Sequence, residues 1–406
     1  MKTVFGKTNV LLPKYASDSP DWETWSVIAC DQHTSDRAYW EETRRLTAER
    51  PSTLGLILPE AYLGTELENK LKDGIASSSA AVEGMLTEYP DAMIYVERTL
   101  ESGMIRRGLV GAISLDSYDY EKGTDPDVRP TEGTVKERIP PRVEVRRAST
   151  FEASHVMLFT ECSEVFDLLT SSKDALRVLY DFDLMQGGGH VTGRLVSGEI
   201  LERAVRIIGE YENACRSNGK MIYGVGDGNH SLASAKAYYE ELKAEGKEVR
   251  GASHALVELV PISDPAIVFE PIYKAVTVSD PEGFISYLSE ALEGGDVSVK
   301  CVAAYRGERR ELDMALSEGK IACGVLQDAI DAYIKEFGGS CDYIHGLGDT
   351  ESLADERENT VGIIFDGIEK ESLFPYVSSF GVLPRKAFSM GEASEKRYYT
   401  ELRRLK

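Results

Sequence analysis

The chain lacks most of the features that make a function easy to read. No apolar run approaches the roughly 20 residues a membrane helix needs, and Met1 to Leu12 is only mildly apolar with no cleavage-type site, so neither a span nor a leader is expected. The six cysteines, Cys30, Cys162, Cys215, Cys301, Cys323 and Cys341, are scattered without a Cys-x-x-Cys pair. That pattern excludes a cysteine zinc site and predicts reduced thiols in the cytoplasm. Positive charge is scarce: 46 Lys and Arg face 68 Asp and Glu, a net charge of −22. Such a balance opposes general binding to nucleic acid or to an anionic membrane. Gly-x-Ser-x-Gly, His-Glu-x-x-His, Walker and dinucleotide patterns are all missing, which disfavours a serine hydrolase, a tightly held zinc and the two easiest nucleotide sites. Repeats and low-complexity segments are missing too.

What is present is a globular composition, 42% hydrophobic and 28% charged over 406 residues, enough for a large core. One stretch stands out: Tyr223-Gly224-Val225-Gly226-Asp227-Gly228-Asn229-His230-Ser231. A short apolar strand, Met221 to Val225, runs into a glycine turn, and Leu232 to Leu242 follows with helical spacing. A helix starting there points its unpaired N–H groups and positive dipole end into the turn, a ready seat for phosphate or carboxylate. Asp227 suits a metal or a hydroxyl, and His230 suits an anion or a proton transfer. The plainer reading has Asp227 capping a turn and His230 packing at a helix start. Two basic islands interrupt the acidic chain: Arg129 to Arg147, with Lys136, Arg138, Arg142 and Arg146, and the tail from Arg385 and Lys386 through Lys396, Arg397, Arg403, Arg404 and Lys406. Such islands serve a small anionic ligand or simply form a solvated face.

Strand and helix signals alternate along the chain, so the class is α/β or α+β, a mixed sheet with helices. Trp25 to Asp31 reads as a strand that places Asp31 and His33 at its end, where ligand crevices of α/β sheets open. Ser35 is the expected cap of a helix over Asp36 to Ala48, and Leu54 to Leu58 reads as a strand. Thr65 to Leu86 reads as a helix, and Ala92 to Thr99 with Met104 to Leu115 as a hairpin. Gly123 to Pro141 reads as a long loop, of the kind that often carries function. Val156 to Thr160, Val191 to Val196 and His254 to Ile262 read as strands, Glu199 to Cys215 as a helix, and Glu392 to Leu405 as a last helix. His155, His254 and His345 sit beside apolar strands and read as core or rim residues. No composition break marks a linker, so residues 1–406 read as one domain, with 1–125 and 126–406 as possible lobes.

Several segments occur in a familiar order: Val27 to Thr34, Pro51 to Leu54, Leu58-Pro59-Glu60, Thr131 to Arg142, the Gly-Asp-Gly-Asn-His turn, and Leu383 to Glu392. On these the chain is identified as a member of the bacterial and archaeal domain-of-unknown-function family 1015. That family more distantly resembles the ParB-like and sulfiredoxin-like superfamily, which includes kinases of free serine. The resemblance implies a ParB-like core with large family-specific additions. It also implies that Asp227, Gly228, Asn229 and His230 form a phosphate-binding turn, and that Glu132 is the acid facing it. Two positions depart from the superfamily pattern. Ser231 stands where Arg is usual and Thr131 where His is usual, so a cation for the phosphates must come from elsewhere. Arg129, Arg138, Arg142, Lys274 and the Arg385-Lys386 pair are the candidates.

The expectation is therefore a phosphotransferase acting on a small hydroxylated metabolite such as an amino acid. It would use a nucleotide (ATP, ADP or CTP) and Mg²⁺. Glu132, Asp227 and His230 are the candidate catalytic residues. Gly224, Gly226, Gly228, Asn229, His230, Ser231, Arg129 and Arg138 would hold the nucleotide, and Asp227 and Asp31 are candidate metal ligands. A nucleotide-binding regulator without turnover is the alternative. A metal-dependent hydrolase built on Asp31, His33, Asp227 and His230 is the third. The partner in each case is a small anionic molecule, with no nucleic acid and no membrane.

Overall fold

The computed structural model describes residues 3–121, 123–292, 295–384 and 386–406, so Arg385 of the basic tail lies outside the described residues. The fold is mixed α/β. The chain forms two compact units, one of residues 1–267 with 392–406 and one of residues 268–391.

The first unit is built on a 12-stranded sheet. Its spine is the expected hairpin, Leu86–Thr99 and Ile105–Ser114. Successive residues of the hairpin go to opposite faces. Met93, Tyr95, Leu109 and Ile113 join one core with Phe166, Leu169 and Ile208 of the helices Ser163–Ser172 and Gly198–Ser217. Ile94, Val96 and Val110 join a second core with Trp22, Trp25 and Trp40. Both faces are covered, which explains why these strands read as nearly continuous apolar runs.

From the hairpin the sheet continues through His254–Pro261, Met157–Thr160 and Tyr223–Asp227 to Val128–Pro130. On the other side it continues through Thr8–Pro13 and Leu402–Arg404 to Phe151–Ala153. The expected last helix over Glu392 to Leu405 is therefore absent. That segment is a single 3-10 turn, Ala393–Glu395, followed by the short strands Tyr398–Tyr399 and Leu402–Arg404. Arg397 and Glu401 have the spacing of a helical ion pair and do meet at 2.6 Å. The backbone between them is extended because Leu402 to Arg404 takes its hydrogen bonds from two neighbouring strands, and such pairing overrides helix propensity.

Smaller corrections follow the same logic. The expected strand over Trp25 to Asp31 shrinks to Val27–Ile28, because the preceding residues close a helical turn, Asp21–Trp25, that buries both of its tryptophans. Asp36 rather than Ser35 caps the next helix, Arg37–Thr47, by accepting the Tyr39 N–H at 3.1 Å. Leu54 to Leu58 is not a strand but begins in a 3-10 turn, Thr53–Leu56, held by Ser52. The long loop contains a strand, Val128–Pro130, and runs into a helix, Ile139–Ala148.

The second unit has a six-stranded sheet ordered Glu308–Leu316, Val297–Tyr305, Thr360–Phe365, Phe269–Thr277 and Ser340–His345, with Phe388–Met390 added to Phe269–Thr277. Lys274 belongs to this unit. It is buried, with its Nζ 4.2 Å from the centre of the Tyr343 ring.

Candidate functional site

The glycine turn sits at the end of the Tyr223–Asp227 strand and opens the helix Asn229–Ala244, whose N-terminus no side chain caps. Its glycines are there for identifiable reasons. Gly228 has φ of +79°, and a Cβ on it would lie 3.0 Å from the Val156 Cα, so both backbone and space exclude a side chain. A Cβ on Gly226 would lie 2.6 Å from the Phe159 ring, where the strand register shifts against Met157–Thr160. Gly224 is different, lying inside the strand opposite Arg129 and Phe159 and away from the turn.

Glu132 is carried to the turn by backbone pairing. Val128–Pro130 runs parallel to the turn strand, with Pro130 opposite Val225. The buried Thr131 hydroxyl donates to the Val225 carbonyl at 2.7 Å, and the Val135 N–H donates to His230 Nε2 at 3.1 Å. Glu132, half-buried, lies on the short span between these two ties. Thr131 thus fastens the acidic segment to the strand.

His230 is a neutral imidazole. Burial and the charges of Arg142 and Arg138 lower it to about 4. With Nε2 accepting from Val135, the neutral ring carries its proton on Nδ1. That leaves it a donor towards an anion and takes away the lone pair a base would use.

Asp227 uses Oδ1 to accept the Gly228 N–H at 2.8 Å. Its Oδ2 is 3.6 Å from Lys396 Nζ, just beyond hydrogen-bond reach, with both side chains largely sheltered. Three buried polar atoms here have no hydrogen-bond partner among the described residues: Asp227 Oδ2, Asn229 Oδ1 and Thr134 Oγ1. Buried oxygens of this kind ordinarily find partners, and three around one open helix end need an explanation.

A second cluster borders the turn. The buried His155 pairs through Nδ1 with the Tyr399 hydroxyl at 2.6 Å and presents Nε2 to Asp31 at 3.4 Å. Burial works against the charge of Asp31, but His155, Gln32 and Arg142 outweigh it and hold the carboxyl below its ordinary range. Arg142, on the helix Ile139–Ala148, forms an ion pair with Glu60. Both line a crevice of about 60 Å³ with Ser231, Cys30 and Tyr399. Of the other candidates, Arg129 holds the Pro126 carbonyl and Asp125 of its own loop, while Arg138 is exposed and its charge is felt at His230. His33, at φ +50°, stacks on Tyr39 with centroids 3.8 Å apart. Sequence reasoning missed Lys396 and His155, whose partners lie far away along the chain.

The fold and the turn together define a mixed α/β protein with an uncapped helix N-terminus set among acid, amide, imidazole and ammonium groups. The model of a family described as a protein of unknown function (DUF1015) matches residues 11–343, so the chain belongs to that family. No curated protein matches it. Among solved structures it is similar to a conserved hypothetical protein from Pyrococcus furiosus (13% identity, TM-score 0.34, covering 70% of this chain and 90% of that one). A free serine kinase variant in complex with AMP gives 13% identity and a TM-score of 0.38, covering 71% and 89%. SbnI from Staphylococcus aureus, truncated at its C-terminus, gives 10% and 0.38, covering 71% and 85%. At that distance a neighbour's activity does not transfer, and function has to be argued from the residues.

Proposed function

We propose that the chain is a nucleotide-dependent phosphotransferase that acts, with Mg²⁺, on the hydroxyl of a small metabolite such as an amino acid. The observation that carries this reading is the uncapped N-terminus of Asn229–Ala244 with three buried oxygens around it that have no hydrogen-bond partner among the described residues. Anionic phosphate oxygens suit the free N–H groups of the first turn and its dipole. Lys396, and Arg142 beyond it, supply the fixed charge that Ser231 does not, while neutral His230 donates from Nδ1.

The two acceptor oxygens of Asp227 and Asn229 suit a hard divalent cation, since Mg²⁺ prefers oxygen ligands and shares them with phosphate. When bound, the ion would neutralise charge on the transferred phosphoryl group. Glu132 is the acceptor's base in this reading: the hydroxyl oxygen bonds to the terminal phosphorus, its proton passes to Glu132, and the shortened nucleotide leaves. Arg129 and Gly224, with their local roles, drop out of the nucleotide set, Arg138 stays in it through its charge near His230, and Asp31 acts beside His155 rather than as a ligand.

The test is a thermal-shift series of ATP, ADP and CTP with and without Mg²⁺, followed by mass spectrometry of phosphorylated product from a panel of hydroxylated amino acids and metabolites. A Mg²⁺-dependent rise in Tm is expected with one nucleotide, because a ligand of the folded state stabilises by mass action. Glu132→Gln should keep that rise while turnover falls by about 10²–10⁴. No shift with any nucleotide overturns the proposal. A shift without turnover in the unmodified chain moves the reading to a nucleotide-binding regulator.

A further inference from the structure

Arg98 and Arg106 stand outside the site just described. They face each other directly across the Leu86–Thr99 and Ile105–Ser114 hairpin, and each is only 3% exposed. Like charges directly opposite in a sheet repel, and burial strengthens the repulsion. Arg98 donates from both terminal nitrogens to the carbonyls of Gly188, Ser394 and Lys396, and Arg106 donates from Nη1 to that of Glu395. The Nε–H of each has no partner among the described residues.

Both residues line a cavity of about 20 Å³ with Tyr180, Glu258, Arg397 and Glu401. Its wall therefore carries three guanidinium groups, Arg98, Arg106 and Arg397, against two carboxylates, one positive charge in excess. The carboxylates are already engaged. Glu258 accepts from Arg397 Nε at 2.7 Å, and Glu401 accepts from Arg397 and from the Tyr180 hydroxyl. The nearby Glu395 carboxylate accepts the Glu392 N–H at 3.2 Å and is not part of the wall.

We infer that this cavity binds one small monovalent anion of halide size, chloride being the obvious one. Such an ion accepts both Nε–H groups and cancels the surplus charge, which a water molecule does not. A cavity of this volume has room for about one particle of that size. The ligand is thus of a different class from the phosphate expected at the helix N-terminus, and the two sites are testable separately.

The experiment uses the full chain. Crystals grown in sodium bromide are examined for anomalous density, and Tm is followed as chloride or bromide replaces gluconate at constant ionic strength, with sulfate and phosphate as larger controls. One anomalous peak within hydrogen-bond reach of both Nε atoms, together with a saturable upward Tm shift specific to the halides, supports the site. Arg106→Gln should abolish that shift, and if this variant fails to fold, the two measurements on the unmodified chain still decide. A peak without a saturable shift marks an adventitious ion only and overturns the inference. A shift without a peak, or water alone in the cavity, overturns it as well.

Discussion

His230 shows how a single ring reports its surroundings. Its ordinary pKa in an unfolded chain is near 6.5, and burial beside Arg142 and Arg138 lowers it to about 4. Between those values the unfolded state binds the extra proton, so the stability tied to the neutral ring is complete above about pH 6.5 and is lost as pH falls towards 4. Tm should fall over that window, and His230→Gln should flatten this part of the profile; superimposable profiles for the two proteins would contradict the assignment. Gly228 makes a sharper demand. Gly228→Ala puts a side chain at φ +79° against the Val156 backbone. It should cost about 1–2 kcal/mol from the left-handed conformation alone, read as a lower denaturation midpoint with a weakened nucleotide shift. The glycines, acid and imidazole of this turn were legible in the sequence because they are consecutive and their geometry is local. His155 and Lys396 were not, since His155 meets Tyr399 across 244 positions and Lys396 meets Asp227 through the fold of the tail.

Among the elements, those with strong local signals match expectation: the central hairpin, the helices Glu66–Glu83 and Gly198–Ser217, and the strands His190–Val196 and His254–Pro261. The tail does not, because its helical charge spacing is outvoted by sheet neighbours. Glu152 shows what holds it there. The buried carboxylate accepts from Arg403 at 2.7 Å, from Arg146 at 2.7 Å and from the Leu256 N–H at 3.0 Å. Removing one partner of such a group leaves uncompensated buried charge, so Glu152→Ala should destabilise by about 3–5 kcal/mol in chemical denaturation. A loss under about 1 kcal/mol, the scale of a surface pair, would show that the tail docks by packing alone.

On the scale of the molecule, no change of composition marks residues 267 and 391, where the two units divide. The division rests on tertiary contacts, which a single sequence does not display. Within the second unit Phe269 lies opposite Met390 in an antiparallel pair, so its entry and exit strands are neighbours, about 5 Å apart. Replacing 268–391 with a short Gly/Ser linker should leave the first unit folded, with one cooperative transition by circular dichroism. Loss of that transition would mean that the first unit depends on the second for its stability.

The place of Leu402–Arg404 between Thr8–Pro13 and Phe151–Ala153 also sets a clock. At 5–20 residues per second, translation takes roughly 12–50 s to cover the stretch from Ala153 to Leu402. Until then a sheet position flanked by two early-made strands stays vacant, and Lys396 has not arrived at Asp227. A chain cut before Lys396 leaves Thr8–Pro13 and Phe151–Ala153 without the strand between them and Asp227 without its ammonium neighbour.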